Sequence, residues 1–301
     1  MDLTLTALSR EVTNLINALA PSVVAVHGRR HTPSSGVVWK DGVIVTAEHA
    51  LWKGDDITIT TPDGNTLTAK VAGRDSGSDI AVLRIDGQKA TPARISTGEV
   101  QPGNVAIVVG RSPNSGVNGS FGIVSAVSGS WRTWRGGQLE RYCRLDVTLF
   151  PGSSGGAVVN ERGEVIGIAT SALSRVAPLA VPSEAVNRIV AQILEKGRVP
   201  QGYLGVGLQS VPLPEGFQKK FSVKRSLALM VLTVESGGPA DKGGILVGDM
   251  LLELNGQAVE SIEDIQSRLH GESVGTSLVA RIIRGGEEKT CTLRVEERVR
   301  K

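Results

Sequence analysis

The chain has 301 residues, of which 40% are hydrophobic and 21% charged, and its 33 basic and 30 acidic residues leave a net charge of +3. At about 100–200 residues per domain, this length predicts two compact domains. The small charge excess, without a long Lys/Arg block, argues against a nucleic-acid or membrane-surface role. The 37 glycines exceed the average usage of ~7% and show no collagen period, so they favour many tight turns.

The first residues predict an amphipathic helix and no targeting segment. Apolar residues recur at helical spacing and Pro21 follows them, so we predict a helix over 5–20. A signal peptide needs a basic start and a continuous apolar stretch, and charged residues interrupt this one. No apolar run reaches the ~18–20 residues that span a bilayer. We therefore expect no membrane span and no signal peptide. The protein is expected to be cytoplasmic, or exported if its leader has been trimmed.

From Ser22 onward, short β-branched runs separated by Gly, Pro, Asn and Asp predict an all-β barrel or sandwich. A second helix follows, with Ser183 as its N-cap and Gly197 just past its end. After a short hinge, a second β-rich unit contains two helical segments, at 239–244 and 261–271. The predicted organisation is a helical segment over 1–21, a first β domain over 22–197, a linker over 198–202 and a second β domain over 203–298.

Cysteine and histidine usage restricts the chemistry. Cys143 and Cys291 fall in different predicted domains and are expected to be free, buried thiols. Only four histidines occur, and none forms the HExxH pair of a zinc hydrolase. No GxxxxGK[ST] loop is present to bind nucleotide phosphates. We therefore expect no metal and no cofactor.

The strongest chemical signal is the segment PGSSGGA at 151–157, where serine hydroxyls are embedded in glycines. Glycines let backbone amides approach a reacting carbonyl closely. The segment also satisfies GxSxG, the nucleophile elbow of α/β-hydrolases, but that fold requires a histidine after the serine, and the only one lies in the second domain. The chymotrypsin order His, Asp, Ser is available instead: His49 follows an apolar strand, Asp79 precedes another, and Ser154 lies on the glycine turn.

Other histidines and acids near these motifs have simpler interpretations. His27, His31 and His270 are expected to be structural, because a lone histidine at a strand end is more often a satisfied structural residue than a catalyst. Asp75 is interpreted as part of a solvated loop and Asp146 as a structural acid. Ser154 is preferred over Ser153 as the nucleophile because two glycines follow it directly.

Four motifs occur in order along the chain: SSGVV with GVIVTAEHAL, then GSDIAVLRI, GIVSAVSG and LDVTLFPGSSGGAVVNERGEVIGI. In sequence and spacing, they resemble the HtrA/Deg family of serine proteases. The resemblance implies a mainly β protein, with a two-β-barrel chymotrypsin-like protease domain over 22–197 and a C-terminal PDZ domain, a small α+β barrel, over 203–298. It also implies that His49 is the general base, Asp79 its orienting carboxylate and Ser154 the nucleophile, with the amides of Gly152 and Ser154 as the oxyanion hole.

The resemblance also implies a substrate pocket. Leu149, five residues before the nucleophile, corresponds to the family's pocket residue. The opposite wall would be formed by the residues that follow VIGI, namely Ala169, Thr170, Ser171, Ala172 and Leu173. Such a pocket is apolar and uncharged, so we expect cleavage after small or medium aliphatic residues.

The second β domain resembles a circularly permuted PDZ module. Its segment YLGV, made of Tyr203, Leu204, Gly205 and Val206, is similar to the loop that binds a peptide C-terminus through backbone amides. SGGPADKGGILVGDMLLELNGQAV matches the following stretch of the family. Three apolar residues of the later helix are expected in the core, and the segment 212–225 is interpreted as a solvated surface insertion. The three helix residues are Ile262, Ile265 and Leu269.

Together these features predict an ATP-independent serine endopeptidase that cleaves unfolded or damaged proteins and binds peptide C-termini at its PDZ domain. The alternative is a proteolytically silent chaperone or PDZ-bearing scaffold with the same fold. Family members typically form trimers through N-terminal aromatic contacts, which this chain lacks before Trp39. If a homotrimer forms, the 5–20 helix is expected to replace those contacts.

Overall fold

The computed structural model describes residues 4–28, 33–52, 54, 56–86, 90–114, 116–135, 137–269 and 273–297. The chain divides into two compact units, Met1–Val199 and Pro200–Lys301. Two of the histidines predicted to be structural, His31 and His270, lie outside the described residues.

The first unit contains two closed antiparallel β-barrels. The first barrel has the strand order β1-β2-β3-β6-β5-β4, and β4 pairs with β1 to close it. Alternating or continuous β-branched residues place an aliphatic core inside it, with Ile44, Ile59 and Leu83 fully buried. Its strands are β1 (Val23–His27), β2 (Ser34–Lys40), β3 (Val43–Ala47), β4 (Asp56–Thr60), β5 (Thr66–Asp75) and β6 (Ile80–Arg84).

The second barrel has the strand order β11-β14-β13-β12-β7-β8, closed by pairing of β8 with β11. A separate two-stranded hairpin, β9 with β10, lies between β8 and β11 in the chain. The mainly β, two-barrel prediction is confirmed. The strands are β7 (Val105–Ser112), β8 (Gly116–Ser128), β9 (Trp131–Arg132), β10 (Gln138–Leu139), β11 (Tyr142–Asp146), β12 (Ala157–Val159), β13 (Val165–Thr170) and β14 (Leu179–Pro182).

Two helices cover the barrels. Helix α1 (Leu5–Leu19) begins at Thr4, whose hydroxyl accepts a hydrogen bond from the amide of Ala7. Its apolar side chains Val12, Leu15 and Ile16 pack against the core of the same unit. Helix α2 (Ser183–Lys196) buries an aliphatic face and ends at Gly197, which has the left-handed φ of 72°.

The predicted start of α2 was wrong by one position. Pro182 is its N-cap and Ser183 is its first residue. The Ser183 hydroxyl instead donates to the carbonyl of Ser96 at 3.1 Å, and so it ties the helix start to a neighbouring loop. A local sequence signal for a cap was therefore overridden by a tertiary hydrogen bond.

The second unit is built on one main antiparallel sheet with the order β16-β17-β18-β20-β21, so β16 and β21 form its edges among the described strands. A small second sheet pairs β15 with β22. The elements are β15 (Gly202–Tyr203), β16 (Val206–Pro212), α3 (Glu215–Lys220), β17 (Leu227–Val234), α4 (Pro239–Lys242), β18 (Met250–Leu254), β19 (Gln257–Ala258), α5 (Ile262–Gln266), β20 (Ser277–Arg284), β21 (Glu287–Arg294) and β22 (Glu296–Glu297).

Several expectations for this unit need correction. The segment 212–225 is not a solvated insertion: it contains α3, and its apolar side chains form a small core with β17, β18 and β20. Within the predicted helix at 261–271, α5 covers only five residues, and Ile262 is 39% exposed although Ile265 is buried. Cys291 is half-buried, whereas Cys143 is buried as expected. In the part of the chain that the structure describes, no helix is long and apolar enough to cross a membrane.

Candidate active site

Strand pairing in the first barrel brings His49 and Asp79 together. Ala47, the last residue of β3, pairs with Ile80, the first residue of β6. His49 lies in the short 3-10 turn directly after Ala47, and Asp79 immediately precedes Ile80. The amide of Glu48 donates to the carbonyl of Asp79 at 3.0 Å, which holds the two connections side by side. Two residues 30 positions apart in the chain therefore meet at one rim of the barrel.

The Asp79 carboxylate is completely buried and accepts four hydrogen bonds. Oδ2 accepts from His49 Nδ1 at 2.7 Å and from Thr170 Oγ1 at 2.5 Å. Oδ1 accepts from the His49 amide at 2.9 Å and from Arg135 Nη1 at 2.9 Å. An ionised carboxylate has about four lone-pair sites, so every site is used. The four hydrogen bonds compensate for the water that the buried carboxylate has lost, and they fix its orientation.

The contact with Asp79 also orients the imidazole. Because His49 Nδ1 lies 2.7 Å from a carboxylate oxygen, the contact favours the tautomer of the neutral ring that carries its proton on Nδ1 and leaves Nε2 as the acceptor. The side chain of His49 is 24% exposed, so the ring is accessible at the surface of the unit. His49 therefore has the tautomer that a general base requires.

Ser154 lies on the loop between β11 and β12, which docks on strand β2 of the first barrel. The carbonyl of Ser154 accepts from the Ser35 amide at 3.1 Å and from the Ser34 hydroxyl at 2.5 Å. The Ser35 hydroxyl donates to the carbonyl of Gly152 at 2.7 Å. Gly155 has a φ of 82°, and a Cβ there would stand 2.2 Å from the Ser35 carbonyl oxygen. Only glycine permits this close approach of the two barrels.

The end of β13 joins the nucleophile to the acid. Thr170 donates to Asp79, and the next residue, Ser171, places its hydroxyl 3.2 Å from that of Ser154. Among the described residues, Ser171 is the hydrogen-bond partner of the Ser154 hydroxyl. Either hydroxyl can be the donor in this contact; if Ser171 donates, the Ser154 proton stays available for transfer to His49.

The amides predicted to form the oxyanion hole differ from the neighbouring amides of the loop in their hydrogen bonding. Ser153, Gly155 and Gly156 donate to the carbonyls of Phe150, Ala169 and Ser153, respectively. Within the described ranges, the amides of Gly152 and Ser154 have no such acceptor. Two donors in one loop are thus available to a ligand.

The residues predicted to form the substrate pocket divide into two groups. Ala169 and Leu173 are buried in hydrophobic clusters of the unit, and Thr170 is bonded to Asp79. Ser171 is exposed, and the remaining two are half-buried: Leu149 and Ala172. The second group is the part of the predicted pocket with access to solvent.

Among the described residues, the alternative acids Asp75 and Asp146 and the histidine His27 do not join the site. Asp75 is buried, which corrects its interpretation as a solvated residue: its carboxylate accepts hydrogen bonds from the Ser78 hydroxyl and from the amides of Gly77 and Ser78. Asp146, at the end of β11, is exposed. His27 pairs with Thr60 through Nε2 at 2.8 Å and is thereby satisfied structurally.

Sequence reasoning missed several residues that contact the site. Ser34 and Ser35 belong to the SSGVV motif, whose pattern predicts no role for them, and Thr170 is predicted only as part of the pocket wall. Glu48 and Arg135 were not singled out, although Arg135 bridges Asp79 and Glu48. Arg135 lies in an irregular stretch with no motif, so its position could not be inferred from spacing.

The four residues predicted to bind a peptide C-terminus form a continuous turn in the second unit. Tyr203 ends β15, Val206 starts β16, and Gly205 between them has a φ of 75°. The carbonyls of Leu204 and Gly205 accept from the amides of Ala240 and Glu235, respectively. The loop is therefore anchored to the domain through its carbonyls.

Comparison with known proteins agrees with this architecture. Residues 34–168 match the trypsin-like peptidase domain family and residues 202–295 match the PDZ domain family. These matches define a trypsin-like peptidase domain followed by one PDZ domain. The chain is 30% identical to "Serine protease Do-like HtrA" of Lactobacillus helveticus over 285 residues, which cover 88% of this chain and 69% of that protein. The chain belongs to the HtrA family of serine proteases.

Other relatives differ in how much of their own length this chain covers. It is 28% identical to "Serine endoprotease DegS" of Haemophilus influenzae, over 94% of this chain and 87% of that protein. It spans only 54% of a "Probable periplasmic serine endoprotease DegP-like" of Ectopseudomonas mendocina, at 30% identity. The crystal structure of the serine endoprotease from Yersinia pestis superposes with a TM-score of 0.76 at 26% identity, over 96% of this chain and 98% of that one.

Proposed function

We propose that this protein hydrolyses peptide bonds in unfolded or damaged proteins, without ATP, by a triad of Ser154, His49 and Asp79. The 2.7 Å contact between His49 Nδ1 and the fully buried Asp79 carries the proposal. A surface histidine with a structural role does not need a buried carboxylate whose four lone pairs are all occupied. The glycine loop that presents Ser154 completes the arrangement.

Each group has a defined chemical role. Ser154 Oγ attacks the substrate carbonyl carbon as His49 Nε2 takes the hydroxyl proton, and Asp79 stabilises the imidazolium that forms. His49 then gives the proton to the leaving amine, and water hydrolyses the resulting acyl-enzyme with the same base. The amides of Gly152 and Ser154 would bind the oxyanion, where each such donor contributes ~2.7–4 kcal/mol.

Unfolded proteins are the substrate class that suits this enzyme. A protease of this kind binds its peptide in an extended conformation, which a folded protein seldom offers. The second unit can select such chains by their C-termini. Because the Leu204 carbonyl is bonded to Ala240, the amide of Gly205 points in the opposite direction, since the peptide is trans. Strand β16 beside it is a sheet edge to which a peptide can add.

We further propose cleavage after small or medium aliphatic residues, because the accessible pocket residues Leu149, Ser171 and Ala172 carry no charge. Digestion of a peptide library, with the cleavage products identified by mass spectrometry, tests this preference. We expect Val, Ile, Ala and Leu before the cut. Preferential cleavage after Arg or Lys would contradict the proposal.

Casein degradation tests the triad. The wild type is expected to degrade casein, and Ser154→Ala is expected to lose roughly 10⁶-fold in kcat. Ser153→Ala, a matched change on the same loop, should retain activity. Equal activity in wild type and Ser154→Ala would overturn the mechanism, and an inactive wild type would favour the silent chaperone or scaffold.

We also propose a homotrimer, in which α1 replaces the missing aromatic contacts. Val12, Leu15 and Ile16 of α1 are partly buried against the core of their own unit, but Leu5 at the start of the helix is 86% exposed and can contact another copy. Phe121 and Ile123 support association, because they lie on the same side of β8 and are 47% and 39% exposed. Analytical ultracentrifugation should show a trimer, and a monomer at working concentration would contradict it.

A further inference from the structure

Arg135 is the charged donor to Asp79 among the described residues, and the triad chemistry does not require it. Its Nη1 donates to Asp79 Oδ1 at 2.9 Å and its Nη2 to Glu48 Oε2 at 3.0 Å. The guanidinium therefore bridges the triad acid and the residue directly before His49. The side chains of Arg135 and Glu48 are only 22% and 16% exposed, so the bridge is largely withdrawn from water. Ion pairs in such places are costly to break.

The turn that carries Arg135 is pressed onto the loop that carries Asp79. The Thr133 hydroxyl donates to the carbonyl of Gly77 at 2.6 Å and accepts from the amide of Gly137 at 3.1 Å. A Cβ on Gly137 would stand 2.3 Å from the carbonyl carbon of Gly77, so the two backbones touch. We call this segment the Arg135 turn, and it consists of Thr133, Trp134, Arg135 and Gly137.

The Arg135 turn also contacts the other side of the site. Trp134 Nε1 donates to the carbonyl of Ala172 at 2.8 Å, in the segment predicted to line the substrate pocket. The guanidinium groups of Arg135 and Arg175 each lie 5.9 Å from the centre of the Trp134 ring. The direction in which the Arg135 side chain points is thus fixed by contacts of the turn with Gly77 on one side and with Ala172 on the other.

We propose that Arg135 is a positioning residue for proteolysis, which fixes the Asp79 carboxylate and, through it, the His49 ring. The inference rests on the proposed function, in which these two residues are the acid and the base. Without Arg135, Asp79 Oδ1 keeps only the His49 amide as a donor. The carboxylate is then freer to rotate about its Cβ–Cγ bond, and the imidazole loses its fixed direction. Glu48 also remains beside His49 without its counter-charge.

Kinetics on a short peptide substrate test the proposal. Arg135→Met removes the donors and keeps the side-chain length, and we expect kcat to fall roughly 10- to 100-fold, the effect of one hydrogen bond to a charged group, with little change in KM. Arg135→Lys should recover part of kcat, because it restores the charge. Arg94→Met is the matched control, since Arg94 forms an exposed ion pair with Glu164. A kcat within twofold of wild type in Arg135→Met, or a loss confined to KM, would overturn the proposal.

A spectroscopic readout separates this inference from the proposed function. In a Ser154→Ala background, proton NMR follows the downfield resonance of the His49 Nδ1 proton in its hydrogen bond to Asp79. We expect that resonance to broaden or disappear with Arg135→Met and to persist with Arg94→Met. Persistence in both variants would overturn the positioning role. If Ser154→Ala itself retains proteolysis, the mechanism fails, whereas the NMR result still decides the role of Arg135.

A second variant keeps the guanidinium and moves it. Gly137→Ala forces the Arg135 turn away from Gly77, because the new methyl group overlaps the Gly77 backbone. We expect the same loss of kcat and the same NMR change as in Arg135→Met. Circular dichroism measures whether both variants are folded. A folded Gly137→Ala with wild-type kcat and an unchanged resonance would contradict the proposal.

Discussion

Each unit of the protein buries one aspartate against an arginine, and the two aspartates differ in what else they contact. Asp79 in the first unit is fully buried, and Asp249 in the second is 1% exposed. Arg284 Nε and Nη2 each donate to Asp249 at 2.7 Å, one to each carboxylate oxygen, and the Leu246 amide adds a bond of 2.8 Å. Asp79 receives a single arginine nitrogen, and its other donors include an imidazole.

The difference shows that a buried carboxylate paired with arginine does not by itself identify a catalytic acid. The bidentate pair of Asp249 and Arg284 occupies both partners and joins the start of β18 to the end of β20, a structural role. Asp79 instead bonds one nitrogen of His49 and leaves the other for a substrate. The chemistry thus depends on the histidine, and substitutions at the two aspartates should separate loss of catalysis from loss of stability.

Asp79→Asn should abolish proteolysis, and it should also destabilise the first unit, because it breaks the buried ion pair with Arg135. An amide at this position can donate to His49 Nδ1 and so favours the wrong tautomer, and we expect kcat to fall about 10⁴-fold. Asparagine tolerates the positive φ of 61° at this site, so the backbone is not strained further. Peptide hydrolysis together with circular dichroism measures both effects. A variant that retains a tenth of wild-type kcat would contradict the role of Asp79.

Asp249→Asn should differ in its effect on catalysis: we expect a large loss of stability in the second unit and little loss of peptide hydrolysis. Breaking a buried charge pair costs about 3 kcal/mol, since it leaves a charge without its partner. Hydrogen exchange of β18 and β20 amides, read by mass spectrometry, should reveal faster local opening. A kcat on short peptides as low as that of Asp79→Asn would remove the distinction between the two aspartates.

Thr170→Val should have a moderate effect on catalysis. The substitution preserves the shape of the side chain but removes the 2.5 Å hydrogen bond to Asp79 Oδ2, so we expect kcat to fall roughly 10-fold. Thr170→Ser keeps the hydroxyl and serves as the matched control. The two variants are compared in the peptide assay, and equal kcat values would show that this bond does not support the triad.

Acidification should affect the second unit through Asp249. Burial opposes ionisation of this carboxyl, but the hydrogen bonds from Arg284 and Leu246 outweigh it and hold its pKa below the usual value. Its stabilising contribution is therefore complete above the unfolded pKa of ~3.9 and is lost as the pH falls through the lower folded value. The difference in hydrogen exchange between wild type and Asp249→Asn should shrink below pH ~4. A constant difference down to lower pH would refute this linkage.

Much of the fold could be predicted from local patterns. Short β-branched runs indicated the strands, and turn residues marked their ends, because side-chain alternation and glycine conformations are properties of a few neighbouring residues. The segment 212–225 was misread because its apolar residues are scattered among charges. Leu213, Phe221 and Val223 are buried only because β17, β18 and β20 provide a surface for them.

The candidate site was predicted in part. His49, Asp79 and Ser154 were found because each lies in a recognisable motif beside a strand, and the structure brings His49 to Asp79 and Ser154 to Ser171. Arg135 was missed because it lies 56 residues from Asp79 in a stretch without periodicity. Its contact with Asp79 depends on two glycine backbones touching in space.

Local patterning and motif order are enough to predict the strands, the order of the two domains, the HtrA resemblance and the three triad candidates, because these depend on residues that are neighbours in the chain. The folded structure is needed to show which donors occupy the Asp79 carboxylate, which predicted pocket residues remain accessible and how the first barrel holds the Ser154 loop. These features depend on contacts between segments far apart in the chain, and such contacts form only when closure of the barrels brings their loops together.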